Sequence, residues 1–319
     1  MSHLPHNYKK YPEWIEKPEV VSVLGDDYRV FGYHFKGLRD FYELLKQNPS
    51  INYQVWSNED KIASITGRYD FAGRNYHDAV EMLIEDMDPG YQEYLRIQKQ
   101  MKAKTGYSHK YKTIPTIAGG VVDPVSYTVG SPTIYKTGRL IKKPKFITVD
   151  LQIAYYWGTD PEQVFNRALI ITNLIRALER NGYSVDVNSF MVAQEENEIV
   201  KVVFEVKKQG QRTNYQTLYK SLVDVEFFRR LCFRLMEISD VTENWVNGYG
   251  QTSEEDFVRD LLKLKKEDIY FDQPRNMGIR GRDLGFDFER AITSLGLEDK
   301  IDMKREKEIL QNSVKVFKR

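Results

Sequence analysis

The run Lys145-Phe-Ile-Thr-Val-Asp-Leu-Gln-Ile-Ala-Tyr-Tyr156, followed by Asp160-Pro-Glu-Gln163, decides the reading of this chain. The first run is rich in β-branched and aromatic residues and carries an acid late in its apolar stretch, as a buried strand does. Asp160 then offers an N-cap oxygen, Pro161 suits the first helical position, and Gln163 can reach back as in a capping box. Val164, Ala168, Ile171, Ile175 and Leu178 recur at the spacing of one helix face, and Gly182 ends the helix. This reading buries Ile171 and puts Arg176 on the polar side.

The pattern continues outward. In Tyr183–Phe190, Val185 and Val187 alternate with polar residues, and in 199–207, Val200, Val202, Phe204 and Val206 do the same. With the polar Glu195-Glu-Asn-Glu198 between them, these are two antiparallel strands of a hairpin. Leu218, Leu222, Val225, Phe228, Leu231, Cys232 and Leu235 predict one long helix, and Phe257–Leu264 another. Asp268-Ile-Tyr-Phe-Asp272 reads as a short strand ending in an acid, Phe286–Leu295 as a helix, and 298–319 as a charged tail. Strands alternating with helices predict an α/β sheet domain over 145–319.

Ahead of it, residues 1–113 read as a mixed, mainly helical region. Gly37–Leu45 has helical apolar spacing, Asn75 can cap a helix carrying Ala79, Val80 and Leu83, and Tyr91–Lys104 is a polar, basic helix. Residues 114–144 form an irregular basic connection punctuated by Gly and Pro, with short β-prone runs such as Gly120-Val-Val and Ser126-Tyr-Thr-Val129. Across 96–145, Arg96, Lys99, Lys102, Lys104, Lys110, Lys112, Lys136, Arg139, Lys142, Lys143 and Lys145 face only Asp123, with Tyr107, Tyr111, Tyr127 and Tyr135 interleaved. Cations for phosphates and rings for bases suit nucleic acid, with Lys110, Lys112, Arg139, Lys142, Lys143 and Lys145 as candidates; a solvated connection is the plainer alternative.

Composition narrows the classes further. With 41% hydrophobic and 29% charged residues the chain is globular, and a net charge of +1 names no partner. One cysteine, Cys232 in an apolar setting, excludes an internal disulfide and a multi-thiolate zinc site. No apolar run approaches a membrane span, and the N-terminus lacks a signal-peptide pattern. The sequence contains no Walker loop, dinucleotide fingerprint, Gly-x-Ser-x-Gly elbow or Cys–His pair. None of the five histidines pairs at a ligand spacing, His77 reads as exposed, and Arg280-Gly-Arg282-Asp283 is a lone basic turn. The expectation is therefore no catalytic residue and no cofactor.

The order strand, helix, hairpin, Thr-containing loop, helices, strand–Asp resembles the von Willebrand factor A domain, a Rossmann-like fold. In that family an Asp-x-Ser-x-Ser run, a Thr and a late Asp hold one Mg²⁺, a hard cation that takes oxygen ligands. The resemblance places the first motif on Asp150-Leu-Gln152-Ile-Ala154, the Thr on Thr213 and the late Asp on Asp272. Gln152 and Ala154 stand where the serines would be, so the implied site is degenerate. Tyr69–Ala79, Ile117–Val125 with Gly130-Ser-Pro132, and Asn166–Leu169 with Ala177–Gly182 resemble an uncharacterised family of tailed-bacteriophage proteins. Together the resemblances imply a phage-encoded protein–protein interaction module of the host cytoplasm or the virion. Relatives of the fold often serve AAA+ ATPases, which makes such an ATPase a candidate partner. A nucleic-acid-binding accessory role and a structural role in the particle are the alternatives.

Overall fold

The computed structural model describes residues 15–48, 73–85, 89–103, 111–116, 121–132, 135–140, 145–155, 159–239, 253–272, 284–294 and 296–308. The deciding stretch folds as a strand, β6 (Lys145–Gln152), and a helix, α5 (Pro161–Arg180). The Asp160 side chain accepts the Glu162 amide N–H at 2.8 Å, which satisfies one of the unpaired donors of the first turn. Gly182, at φ +87°, takes the left-handed conformation that ends the helix. The chain then makes the hairpin β7 (Tyr183–Glu195) and β8 (Glu198–Lys207), and later β9 (Ile269–Phe271).

β7 and β9 flank β6 and run parallel to it, while β8 runs antiparallel to β7. The sheet does not stop there. β1 (Glu19–Val23) and β2 (Asp26–Phe35) form a hairpin, and β2 lies parallel to β8, from Arg29 opposite Glu198 to Phe35 opposite Phe204. Leu24 and Gly25 turn that hairpin with φ of 51° and 97°, the signs a tight turn between twisted strands requires. The result is a mixed α/β protein with a six-stranded sheet in the order β1-β2-β8-β7-β6-β9. Two of its strands come from the region expected to be mainly helical, so the sheet spans both sides of Lys145.

The larger face of the sheet carries the main core. Val149, Leu151, Val185, Val187, Val202 and Phe204 point into it, as alternation predicts. Covering it are α1 (Leu38–Gln47), α2 (Tyr76–Met82), α3 (Pro89–Ala103), α5 and α6 (Tyr215–Leu222). Asn75 caps α2 by accepting the Asp78 N–H, and Pro89 opens α3, a position where its missing N–H costs nothing. The predicted long helix over 218–235 is two helices. It stops at Val223 and resumes as a π-helical turn, Phe227–Cys232, running into α7 (Phe233–Ile238). The wider turn lets all six of its residues bury, including Cys232, whose thiol pKa burial pushes up.

The opposite face is covered over one patch by α8 (Glu255–Leu261), which packs Phe257, Val258 and Leu261 on Val23, Val30, Phe190, Val192 and Tyr270. α9 (Leu284–Ser294) follows, and residues 303–308 form a further helical turn whose Glu306 pairs with Arg180 of α5 in a buried ion pair. Within the expected connection, β3 (Tyr111–Thr116), β4 (Val121–Val122) and β5 (Tyr135–Leu140) make a separate antiparallel sheet in the order β3-β5-β4. The β-prone run at Ser126–Val129 is instead mostly α4 (Pro124–Thr128): Pro124 opens it and the Thr128 hydroxyl donates back to the Pro124 carbonyl.

Helix α5 corrects the sequence reading in one respect. Ile171 is fully buried as expected, but Arg176 is buried too, donating to the Gln98 carbonyl and the Tyr215 hydroxyl. α3 and α6 pack on the side that the single apolar stripe left to water. Ile171→Val is expected to cost about 0.5–1.5 kcal/mol in urea denaturation, the effect of one deleted methyl in a packed core. A cost indistinguishable from zero would mean that the α5 interface repacks freely.

Candidate functional site

The chain leaves β6 through α5 to reach β7 on one side, and β9 arrives on the other side of β6. In open α/β sheets the crevice beyond the carboxyl ends of two such strands is where ligands bind. Here α5 sends its own side chain into that position. Arg167 lies on the same stripe as Val164 and Ile171, and it is 2% exposed. Its Nη2 donates to the carbonyls of Gln152 at 3.0 Å and Asp272 at 2.6 Å, with the Phe271 carbonyl at 3.4 Å. These carbonyls lie at the ends of β6 and β9, where the ladder offers no further N–H. A buried carbonyl without a donor is costly, and a guanidinium serves several acceptors at once. Burial lowers the Arg167 pKa to about 10, against the pull of the Asp272 carboxylate and Tyr270, so the group is charged at neutral pH.

A second guanidinium secures the loop after β6. Arg229, on the π-helical turn, donates to the Tyr155 carbonyl at 2.7 Å, and its Cζ lies 5.0 Å from the ring centres of Tyr155 and Phe228. Burial lowers this arginine to about 10 as well. Beside it, Lys220 pairs with Asp224 at 2.6 Å, Arg74 pairs with Glu226, and Arg230 donates to the Arg74 carbonyl at 3.1 Å. The bonds of Arg167 and Arg229 run to main-chain carbonyls, an arrangement that fixes strand ends and loops.

The four residues implied for a metal do not converge. Asp150 lies within β6, opposite Asn188 of β7 and Tyr270 of β9, so it meets the smaller face and not the carboxyl edge. It is 3% exposed. Its Oδ1 accepts from Asn188 Nδ2 at 3.0 Å, and among the described residues Oδ2 has no hydrogen-bond partner. Burial raises its pKa to about 6; the Asn188 bond opposes the shift, Asp268 adds to it, and Arg259 and Lys208 reduce it. Gln152 is fully buried and accepts the Ala154 N–H at 3.2 Å, closing the turn that follows β6. Thr213 sits in the loop leaving β8; because β8 is antiparallel, that loop lies at the edge where β6 and β7 begin. Asp272 exposes its side chain and contributes its carbonyl to Arg167. Among the described residues no group of three or more His, Cys, Asp or Glu is placed to hold a metal ion.

Of the nucleic-acid candidates, Lys112 and Arg139 are register partners in β3 and β5, and Lys145 opens β6 opposite Tyr183. Lys110, Lys142 and Lys143 lie outside the described residues, as does the Arg280–Asp283 turn. His77 is exposed in the first turn of α2. Arg167 and Arg229 were not singled out from sequence. Arg167 had a signal, because it falls on the apolar stripe of α5, where a cation must find buried acceptors. Arg229 had none, since a π-helical turn moves it off any 3.6-residue face.

Among the described residues no helix is long and apolar enough to cross a membrane. No curated protein and no solved structure matches the chain. A family model described as a domain of unknown function, DUF7192, matches residues 13–299, and with most of its length inside that match the chain belongs to this family.

Proposed function

We propose that the protein is a phage-encoded, non-enzymatic protein–protein interaction module built on a von Willebrand A-like sheet whose cation position is filled from within. Counted from β6, the strand order β8-β7-β6-β9 is 3-2-1-4, the opening order of Rossmann-like sheets, which supports the likeness. The observation that supports the loss of the metal is Arg167: a fixed positive charge bonded to the ends of β6 and β9 repels a cation from the crevice between them. A site closed by the protein's own side chain favours binding through surfaces over chemistry at the sheet edge. The partner, by fold analogy alone, is an AAA+ ATPase. The place of action is the host cytoplasm or, in the second reading, the virion.

Two measurements test this. A bound cation present at a hundredfold excess over its Kd adds about 2.7 kcal/mol to stability. Millimolar Mg²⁺ is therefore expected to leave the melting temperature unchanged, and a rise of several degrees that disappears in Asp150→Ala would restore the metal site. Affinity purification of the tagged chain from infected cells, in parallel without and with nuclease treatment, is expected to retain a stoichiometric protein in both. Recovery of nucleic acid alone would overturn the interaction reading, and abundant chain in purified particles by mass spectrometry would replace it with a structural role.

A further inference from the structure

We propose that β1 is a docking edge that takes up an extended, basic segment of a partner protein as an added strand of the sheet. The proposal rests on the reading of the chain as a protein-interaction module, and it names the surface and the partner's chemistry. β1 ends the strand order, and among the described residues nothing pairs with its outer side. Leu24 and Gly25 make a two-residue turn, so the pairs Val23–Asp26, Val21–Tyr28 and Glu19–Val30 exchange the ladder bonds with β2. The main-chain N–H and C=O of Val20 and Ser22 therefore point away from β2. The next outward donor, the Leu24 N–H, is taken by Asp260 of α8 at 2.7 Å, which fixes the hairpin tip on that helix. Val20 is 71% exposed and Ser22 is exposed, so an apolar side chain lies beside the open main-chain groups. An edge of this kind is what strand addition uses: main-chain bonds hold the segment and alternate side chains select it.

The tip gives the second observation. Leu24 is 62% exposed at φ 51°, a left-handed conformation that a bulky side chain rarely adopts. The fold gains little burial in return for that strain, which points to a contact outside the chain. Charge then selects the occupant. Residues 19–27 carry three acids and no base, and 254–261, the packed helix α8 with its cap, carry four acids and one base. All of these acids are exposed, and the base, Arg259, pairs with Glu255 at 2.7 Å. A second copy of the chain would bring the same acids to the joint, and a nucleic acid its phosphates, so both meet repulsion. A segment alternating apolar residues with Lys or Arg meets none. It bonds to Val20 and Ser22 through its main chain and lays its apolar side chains on the Val20 face. Its cations then lie on the α8 face, where Val21 and Val23 pack and the acids of the helix are exposed.

The test is fluorescence anisotropy of a labelled, capped peptide of alternating Lys and Val, about eight residues long, titrated with the full chain. An alternating Glu-Val peptide is the control. The Lys-Val peptide is expected to bind with a Kd below about 1 mM, and the Glu-Val peptide not to bind. Val20→Pro removes an outward N–H and leaves the ladder to β2 intact, and it is expected to weaken binding about tenfold. Val20→Lys, which puts a charge on the same exposed face, is expected to do the same without touching the main chain. Asp26→Asn with Asp27→Asn is expected to weaken binding several-fold and to reduce its dependence on salt. The proposal is overturned by absence of Lys-Val binding, by equal binding of the two peptides, or by binding unchanged in a folded Val20→Lys. Self-association that Val20→Lys abolishes, without peptide binding, overturns it in favour of a second copy of the chain. Should Val20→Pro not fold, Val20→Lys decides on the same criteria. The purification from infected cells reads the wider function separately. A stoichiometric protein held equally by the wild type and Val20→Lys removes this surface and leaves the interaction module standing. Peptide binding with no protein retained removes the module and with it the partner protein proposed for β1.

Discussion

Arg167→Met is expected to cost about 2–4 kcal/mol of folding stability, since a buried carbonyl and a part-buried one lose a charged donor and each unpaired buried acceptor costs about 1–3 kcal/mol. The bonds at stake are those to Gln152 and Asp272. Removing a buried charge also relieves its desolvation, which acts in the opposite sense. Burial lowers the arginine only to about 10, so at neutral pH it is a charged donor that the variant removes. Arg167→Lys is expected to fall between the wild type and the methionine variant: an ammonium keeps the charge but not the fan of donors. Urea midpoints at constant slope measure the loss. A methionine variant as stable as the wild type would show that the strand ends need no internal cation, and the case for a crevice filled from within would fail. Mg²⁺ should not restore the variant, since the implied ligands are dispersed over two edges and one face of the sheet.

Asp150→Asn is expected to stabilise the protein at neutral pH, by about 3 kcal/mol at 1.36 kcal/mol per pKa unit. The sign follows from the direction of the shift. The folded state raises Asp150 from 3.8 to about 6, so folding favours the protonated acid. Stability associated with this group is fully present below pH 3.8, declines as pH rises between 3.8 and about 6, and is absent above. A neutral amide at this position escapes that decline. The difference between variant and wild type should therefore be near zero at about pH 3.5 and reach its full value at about pH 7.5, while every other group titrates alike in both. Destabilisation at pH 7.5 would mean that the carboxylate is supported by contacts beyond Asn188. A difference constant with pH would mean that it does not titrate in this range.

Much of the sheet was legible in short-range pattern. Alternation in 183–190 and 199–207 gave the β7–β8 hairpin, and Asp160, Pro161 and Gly182 marked both ends of α5, because caps and period-two burial are set by residues a few positions apart. The same local rules misplaced Arg176: one amphipathic stripe assumes one covered face, whereas α3 and α6 also pack on α5. They joined α6 to α7, because a π-helical turn has no mark in apolar spacing, and they made a strand of Ser126–Val129, where Pro124 and the Thr128 hydroxyl favour a helical turn.

The amino-acid sequence by itself determined an α/β protein, the strands and helix around Asp150, and the gathering of positive charge between 96 and 145. Only the tertiary structure decided that β1 and β2 extend the sheet beyond β8, because strand partners far apart in the chain are chosen by register and burial together. Only it decided that Thr213 and Asp272 lie at opposite edges, because β9 joins β6 in parallel and so ends at the edge opposite the loop that leaves the antiparallel β8. The same holds for the guanidinium at the carboxyl edge: whether a cation on an apolar stripe is satisfied depends on carbonyls 15 and 105 residues away, which the fold alone brings within reach.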